Sequence, residues 1–290
     1  LIRLARMYPL HFITLLLMII YEAIAQPANM ATSEEILIHV LFIQNMGLGP
    51  DELKLNIPSW SISPEFWINI VIYALLLLFL RISFIKEYSR LIIILSSLIF
   101  SVLGYLFLAL YSGSLDVYEV GHYGFLNLGL LRCTSGFLWG LFIYAIYDKY
   151  MLSWKPFKNS FIPFIIVSAY IVFAYVPFEA TLWDFICPPF FGLMILYLAK
   201  DYSTFSTKLG NLSYFGDISF SIYLLHTPLI IFSWHFDYLG LSDEIMRTII
   251  ITLTFLSSVI CYRYYEIPVY KYLRTRIMTK RMPNTLKTNP

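Results

Sequence analysis

Apolar runs of about 17–25 residues recur from one end of this 290-residue chain to the other, separated only by short polar segments. Each run is long enough to cross bilayer hydrocarbon as a helix, the one single-segment conformation that satisfies every backbone N–H and C=O internally. Such spacing leaves no room for a separate soluble domain. Charged residues make up 13% of the chain and hydrophobic residues 59%, whereas a soluble domain carries about 25% charged residues. The chain therefore reads as an all-α polytopic membrane protein, with one integral domain over residues 1–270 and a basic tail over 271–290.

Eight crossings are expected, over Tyr8–Tyr21, Phe66–Ile82, Leu91–Tyr111, Phe125–Tyr147, Phe161–Pro177, Phe185–Ala199, Leu212–Trp234 and Ile245–Tyr265. The first is short for a bilayer unless its flanks extend it. Ile36–Met46 is too short to cross and reads as a re-entrant or interfacial helix, with Ser33 as its N-cap. Placing the N-terminus in the cytoplasm puts 17 of the 20 Lys and Arg residues on that side, leaving Lys54, Arg132 and Arg247. The positive-inside rule then sets both termini in the cytoplasm. The three cysteines fall inside expected spans without metal or redox spacing, so no disulfide framework is expected. No ligand spacing for a metal, phosphate loop or nucleophile elbow is visible, and nothing supports nucleic-acid binding.

A few polar residues stand out against this background. Pro58-Ser59-Trp60-Ser61-Ile62-Ser63-Pro64-Glu65-Phe66-Trp67 sets a carboxylate, three hydroxyls and two indoles at the outer mouth of a span. Glu65 needs pairing, hydrogen bonding or water there, and interfacial hydration beside Trp anchors is one solution. Arg132 lies about seven residues in from the same face; it either pairs with a carboxylate, Glu65 being the simplest choice, or snorkels to the interface. Ser219, Tyr223 and His226 share one helix face, and Pro228 frees the carbonyl of Leu224. An imidazole on such a stripe suits proton transfer, or else a structural hydrogen bond between helices. Arg3 and Arg6, one turn apart, offer an anion site suited to phosphates, or serve only as topology determinants.

Four of these stretches, in order, resemble motifs of the acyltransferase-3 family of integral membrane acyltransferases. Arg3-Leu4-Ala5-Arg6-Met7-Tyr8-Pro9-Leu10-His11 is similar to that family's arginine pair followed by Tyr-Pro. Trp60-Ser61-Ile62-Ser63-Pro64-Glu65 resembles its Trp-Ser-Leu-x-x-Glu segment. Phe215-Gly216-Asp217-Ile218-Ser219-Phe220-Ser221-Ile222-Tyr223-Leu224-Leu225-His226-Thr227-Pro228 resembles its Gly-x-Ile-Ser-Tyr-Ser-x-Tyr-Leu-x-His-x-Pro, and Tyr265-Glu266-Ile267-Pro268 its closing Glu-x-Pro.

The resemblance implies an O-acyltransferase of a bacterial inner membrane, moving an acetyl group from cytoplasmic acetyl-CoA to a hydroxyl of an extracytoplasmic glycan or lipid-linked sugar. Arg3 and Arg6 would hold the acyl-CoA phosphates. Glu65, Arg132, His226 and Tyr223 would form the catalytic site, and Trp60, Ser61 and Ser63 would meet substrate, the two hydroxyls as oxyanion donors. No metal is implied, and the non-protein surroundings are membrane lipids. The family places two helices before the arginine pair, the first bearing the histidine proposed as general base. This chain opens on that pair at Leu1-Ile2-Arg3, so those helices are expected upstream of it. A transporter or flippase of small acids or lipid-linked glycans would also use intramembrane Arg and Glu, whereas a membrane scaffold would need none of these polar groups.

Overall fold

The computed structural model describes residues 1–46, 54–81, 89–117, 122–123, 126–151, 153, 161–175, 182–200 and 203–281. Phe125, Pro177 and Ile82, at the ends of expected spans, and residues 282–290 of the expected tail lie outside that set. The described residues are almost wholly helical. The exception is a two-residue antiparallel pair, β1 (His122–Tyr123) with β2 (Leu126–Asn127), in which His122 faces Asn127.

Among the described residues, six helical stretches are long and apolar enough to cross a membrane: Ile2–Ala25, Ile57–Phe79, Leu91–Tyr111, Leu128–Met151, Ser213–Phe236 and Asp243–Thr279. The first expected crossing is extended by its flanks, so the short apolar run grows into a 24-residue helix. Two further expected crossings are helical but shorter, 15 residues over Phe161–Tyr175 and 12 over Cys187–Leu198. Helix surfaces invert the pattern of soluble proteins. Ser97, Ser101, Ser135, Ser221 and Ser258 are buried, whereas Leu75, Leu78, Leu103 and Leu110 are exposed. Aliphatic surface turned outward along helices of spanning length is the mark of a lipid-facing exterior. The protein is an integral membrane protein.

The chain divides into two compact units. The first comprises residues 1–44, 53–62 and 214–290. It contains α1 (Ile2–Ala25), α2 (Ser33–Val40), a 3-10 turn over Ile57–Ser61, α9 (Ser213–Ser233), α10 (Asp243–Cys261), a π-helical turn over Tyr262–Glu266, and α11 (Ile267–Arg281). Leu15, Met18 and Tyr21 of α1 form its core with Ala31 and Leu55, and Ile36, Val40 and Ile231 close around them. The short helix expected over Ile36–Met46 is present as α2, which starts earlier and ends at Val40. Its N-cap is Thr32 and not Ser33: Glu35 N donates to Thr32 Oγ1 (3.2 Å) while Thr32 N donates to Glu35 Oε2 (2.6 Å). The reciprocal pair requires Glu at the third helical position, which places the cap one residue earlier.

The second unit comprises residues 45–52 and 63–213. Here lie α3 (Ile62–Arg81), α4 (Ser89–Tyr111), α5 (Leu128–Ile146), α6 (Phe161–Tyr175), α7 (Cys187–Leu198) and α8 (Thr204–Gly210). Helices α4 and α5 pack most extensively. A Cβ on Gly104 would collide with Ser135, and Ser101 Oγ donates to Ser135 O at 2.9 Å. Small residues at this crossing let the backbones approach, as membrane helices require in the absence of a hydrophobic drive between them.

Candidate functional site

In the first unit, Pro228 stands inside α9 and removes the N–H that would have bonded Leu224 O. The carbonyl is fully buried, yet it is not orphaned: Asn56 Nδ2 donates to it at 3.0 Å. One residue earlier, Tyr223 Oη donates to Pro58 O at 2.6 Å and lies 2.8 Å from Ser61 Oγ. Because the phenol's single proton goes to Pro58, Ser61 is the donor of the second bond, and its own proton is engaged there. Trp60 is half-buried in the same 3-10 turn.

His226 follows one turn beyond Tyr223 on α9. Its Nδ1 lies 2.7 Å from Tyr223 O and 3.3 Å from Ile222 O, and carbonyl acceptors assign the ring proton to that nitrogen. Nε2 keeps its lone pair and accepts from Thr227 Oγ1 at 3.2 Å. The imidazole is half-buried.

Arg3 and Arg6 occupy the first two turns of α1, and both side chains are exposed. Nearby, Glu266 is buried and accepts from Ser221 Oγ at 2.7 Å, and the charge of Arg6 bears on both Glu266 and Tyr262. Tyr265 Oη donates to Pro9 O at 3.2 Å. Parts of the four stretches singled out in the sequence are thus joined within this unit by side-chain hydrogen bonds, the second stretch through Ser61, since its Ser63, Pro64 and Glu65 belong to the other unit. Tyr265 links the last to the first, Ser221 links the third to the last, and Tyr223 with Ser61 links the second to the third.

Ser63, Glu65 and Arg132 fall in the second unit. Glu65 sits in the first turn of α3 and is exposed, whereas Arg132, in α5, is half-buried. The charges of both act on Cys133, which places the carboxylate and the guanidinium in one neighbourhood. Ser63 Oγ is buried without a hydrogen-bond partner among the described residues, so its proton is uncommitted.

Two histidines of the first unit are partners. His11 of α1 and His39 of α2 are both buried, their rings stacked at 6.3 Å, and His11 Nε2 donates to His39 O at 3.0 Å. Burial first, and the neighbouring His11 second, push the His39 imidazole down to about 4. Burial alone would raise the Glu35 carboxyl nearby, but the Thr32 backbone and Lys54, whose Nζ lies 3.1 Å from Glu35 Oε1, hold it below its usual range. Among the described residues no group of three or more His, Cys, Asp or Glu side chains could hold a metal ion. Asn56, Ser221, His11 and His39 escaped the sequence reading of the site. Only Asn56 left a usable trace there, since Pro228 predicts that some donor must reach Leu224.

A family model described as an acyltransferase domain matches residues 2–263. Comparison with curated proteins and with solved structures found no match.

Proposed function

Because this chain belongs to the acyltransferase-3 family, we propose that it transfers an acetyl group from cytoplasmic acetyl-CoA to a sugar hydroxyl of an extracytoplasmic glycan or lipid-linked sugar. The observation that supports this reading is the linkage of parts of the four family-like stretches within the first unit, through Tyr265 to Pro9, Ser221 to Glu266, and Ser61 to Tyr223 to Pro58. Transport is the less favoured reading, since the matching family is one of acyltransferases.

In the proposed reaction the acceptor oxygen attacks the thioester carbonyl carbon, a base takes the hydroxyl proton, and the C–S bond breaks as CoA leaves as its thiol. Arg3 and Arg6 supply exposed guanidiniums at a helix start for the donor's phosphates. Glu65 and Arg132 shape the polar part of the acyl site. Arg132 and the uncommitted Ser63 hydroxyl are the donors suited to the oxyanion, while Ser61 acts through Tyr223 and Trp60 offers an indole to a sugar. His226 presents a lone pair at Nε2, a proton acceptor fixed in orientation by the two carbonyls at Nδ1. In this reading the protein sits in a bacterial inner membrane with both termini in the cytoplasm.

The test uses the full-length protein in membrane vesicles given labelled acetyl-CoA, with label followed into the glycan fraction. Arg3→Ala/Arg6→Ala should raise the donor KM by about ten-fold or more, as expected from the loss of two charge-assisted contacts. Glu65→Ala and Arg132→Ala should lower kcat instead. Full labelling by all three variants would refute the assignment.

A further inference from the structure

The buried carboxamide of Asn56 has no part in the chemistry above, and its environment is unusual. Asn56 is 1% exposed, and the carbonyl it contacts, that of Leu224, belongs to a residue 0% exposed. Its Oδ1 has no hydrogen-bond partner among the described residues, so the side chain is held there by its donor end. An amide that leaves its acceptor unpaired in a buried site bears a desolvation cost, which the bond from Nδ2 to Leu224 O must offset.

That carbonyl is the one a proline four residues on deprives of its helical partner. Membrane helices tolerate an internal proline where another group re-satisfies the freed carbonyl, and here the group comes from a segment 168 residues away in sequence. The carbonyl immediately before it, Tyr223 O, holds the Nδ1 proton of His226, and the Tyr223 phenol holds Pro58 O and Ser61. The Asn56 bond therefore sits at the point where the turn of α9 before Pro228 meets the 3-10 turn that carries Trp60 and Ser61. Ser59 N donates back to Asn56 O at 2.9 Å, so the start of that turn is itself fixed on Asn56.

We propose that Asn56 is a positioning residue for acyl transfer: its carboxamide substitutes for the N–H that Pro228 lacks, and so fixes the α9 turn bearing Tyr223 and His226 relative to Ser61. The inference rests on the acyltransferase reading for its kinetic part alone. A hydroxyl or an aliphatic side chain would not serve as well. The position needs a donor of this reach, and only the amide supplies one without a charge.

Three substitutions in the full-length protein test the proposal. Asn56→Leu keeps the volume and loses the donor. Asn56→Asp keeps the shape and regains a donor only when its carboxyl is protonated. Pro228→Ala restores the backbone N–H to Leu224 O. Asn56→Leu should lower kcat by about ten-fold with the donor KM unchanged, because the anion contacts of Arg3 and Arg6 are untouched. Asn56→Asp should be faster, relative to the parent protein, at the lower pH where its buried carboxyl is protonated than at the higher pH where it is ionised. In thermal unfolding, Asn56→Leu should lower the midpoint in the parent background but not in Pro228→Ala, where the carbonyl already has a partner. Unchanged kcat in Asn56→Leu, absence of acid recovery in Asn56→Asp, or additive losses in the unfolding cycle would each overturn the proposal. If the parent protein transfers no acyl group, the acyltransferase reading fails on that result, and the unfolding cycle still decides whether Asn56 replaces the missing N–H.

Discussion

Acidification should destabilise the first unit through His39 specifically. The imidazole lies at about 4 in the folded protein, against 6.5 for the free side chain, because burial and the adjacent His11 disfavour its charged form. Above pH 6.5 both the folded and the unfolded chain carry it neutral, and stability is fully present. As pH falls below 6.5 the unfolded chain binds the proton while the folded chain does not. Stability is therefore lost at up to about 1.4 kcal/mol per pH unit, a loss that levels off near pH 4. The whole interval is worth about 3 kcal/mol, a large share of the marginal stability of a folded domain. Denaturant unfolding of the detergent-purified protein between pH 7 and pH 4 would measure it. Carboxylates titrate near the lower end of the same range, so the informative quantity is the difference between the parent protein and His39→Phe. Phenylalanine keeps a ring against His11 and removes both the titration and an Nδ1 that is buried without a partner. The bond from His11 Nε2 survives the substitution, since it ends on the backbone carbonyl of residue 39. His39→Phe should lose about 3 kcal/mol less than the parent across the interval. An equally steep pH dependence in the variant would refute the reasoning.

Two further outcomes follow from packing and capping. In the second unit, a Cβ on Gly192 of α7 would stand 2.7 Å from Trp139 Nε1 and 2.9 Å from Ile143 Cδ1, and the indole is tied to Pro188 O at 2.7 Å. Gly192→Ala should therefore cost about 1–3 kcal/mol, read as a lower melting midpoint with altered Trp fluorescence, and an unchanged midpoint would count against this helix contact. Thr32→Ala removes one half of the reciprocal cap on α2 and should cost about 1 kcal/mol, with faster amide hydrogen exchange over residues 33–36 and no change in α9.

How much of this could be read from the chain depends on what hydropathy reports. It registers the partition between lipid and water, and so it locates the crossings over Leu91–Tyr111 and Ser213–Phe236 closely. Faces are harder to read, because a helix apolar on all sides carries little directional signal. The polar stripe of Ser219, Tyr223 and His226 illustrates the difficulty. Tyr223 does turn to another segment, but His226 bonds its own helix at Ile222 O, Tyr223 O and Thr227, and Ser219 Oγ bonds Gly216 O and is exposed, while the buried hydroxyl is that of Ser221, on which Glu266 depends. Ser33 was displaced by Thr32 as the cap for a local reason that was available: only a cap three residues before Glu35 closes the reciprocal pair.

Proline made the most informative long-range prediction. Its missing N–H is a backbone deficit at a known address, and a buried deficit must be met by some other donor or by water. The sequence therefore states that Leu224 needs a donor without stating which one, and only the fold identifies Asn56. The same logic explains why the four family-like stretches are legible as motifs yet silent about one another. Each contributes one half of a bond whose other half lies 45 to 256 residues away, as Ser221 with Glu266 and Tyr265 with Pro9 show. In hydrocarbon an unmet half costs more than in water, so these pairs constrain one another strongly. Substituting one partner should therefore disturb the second motif as well as the first.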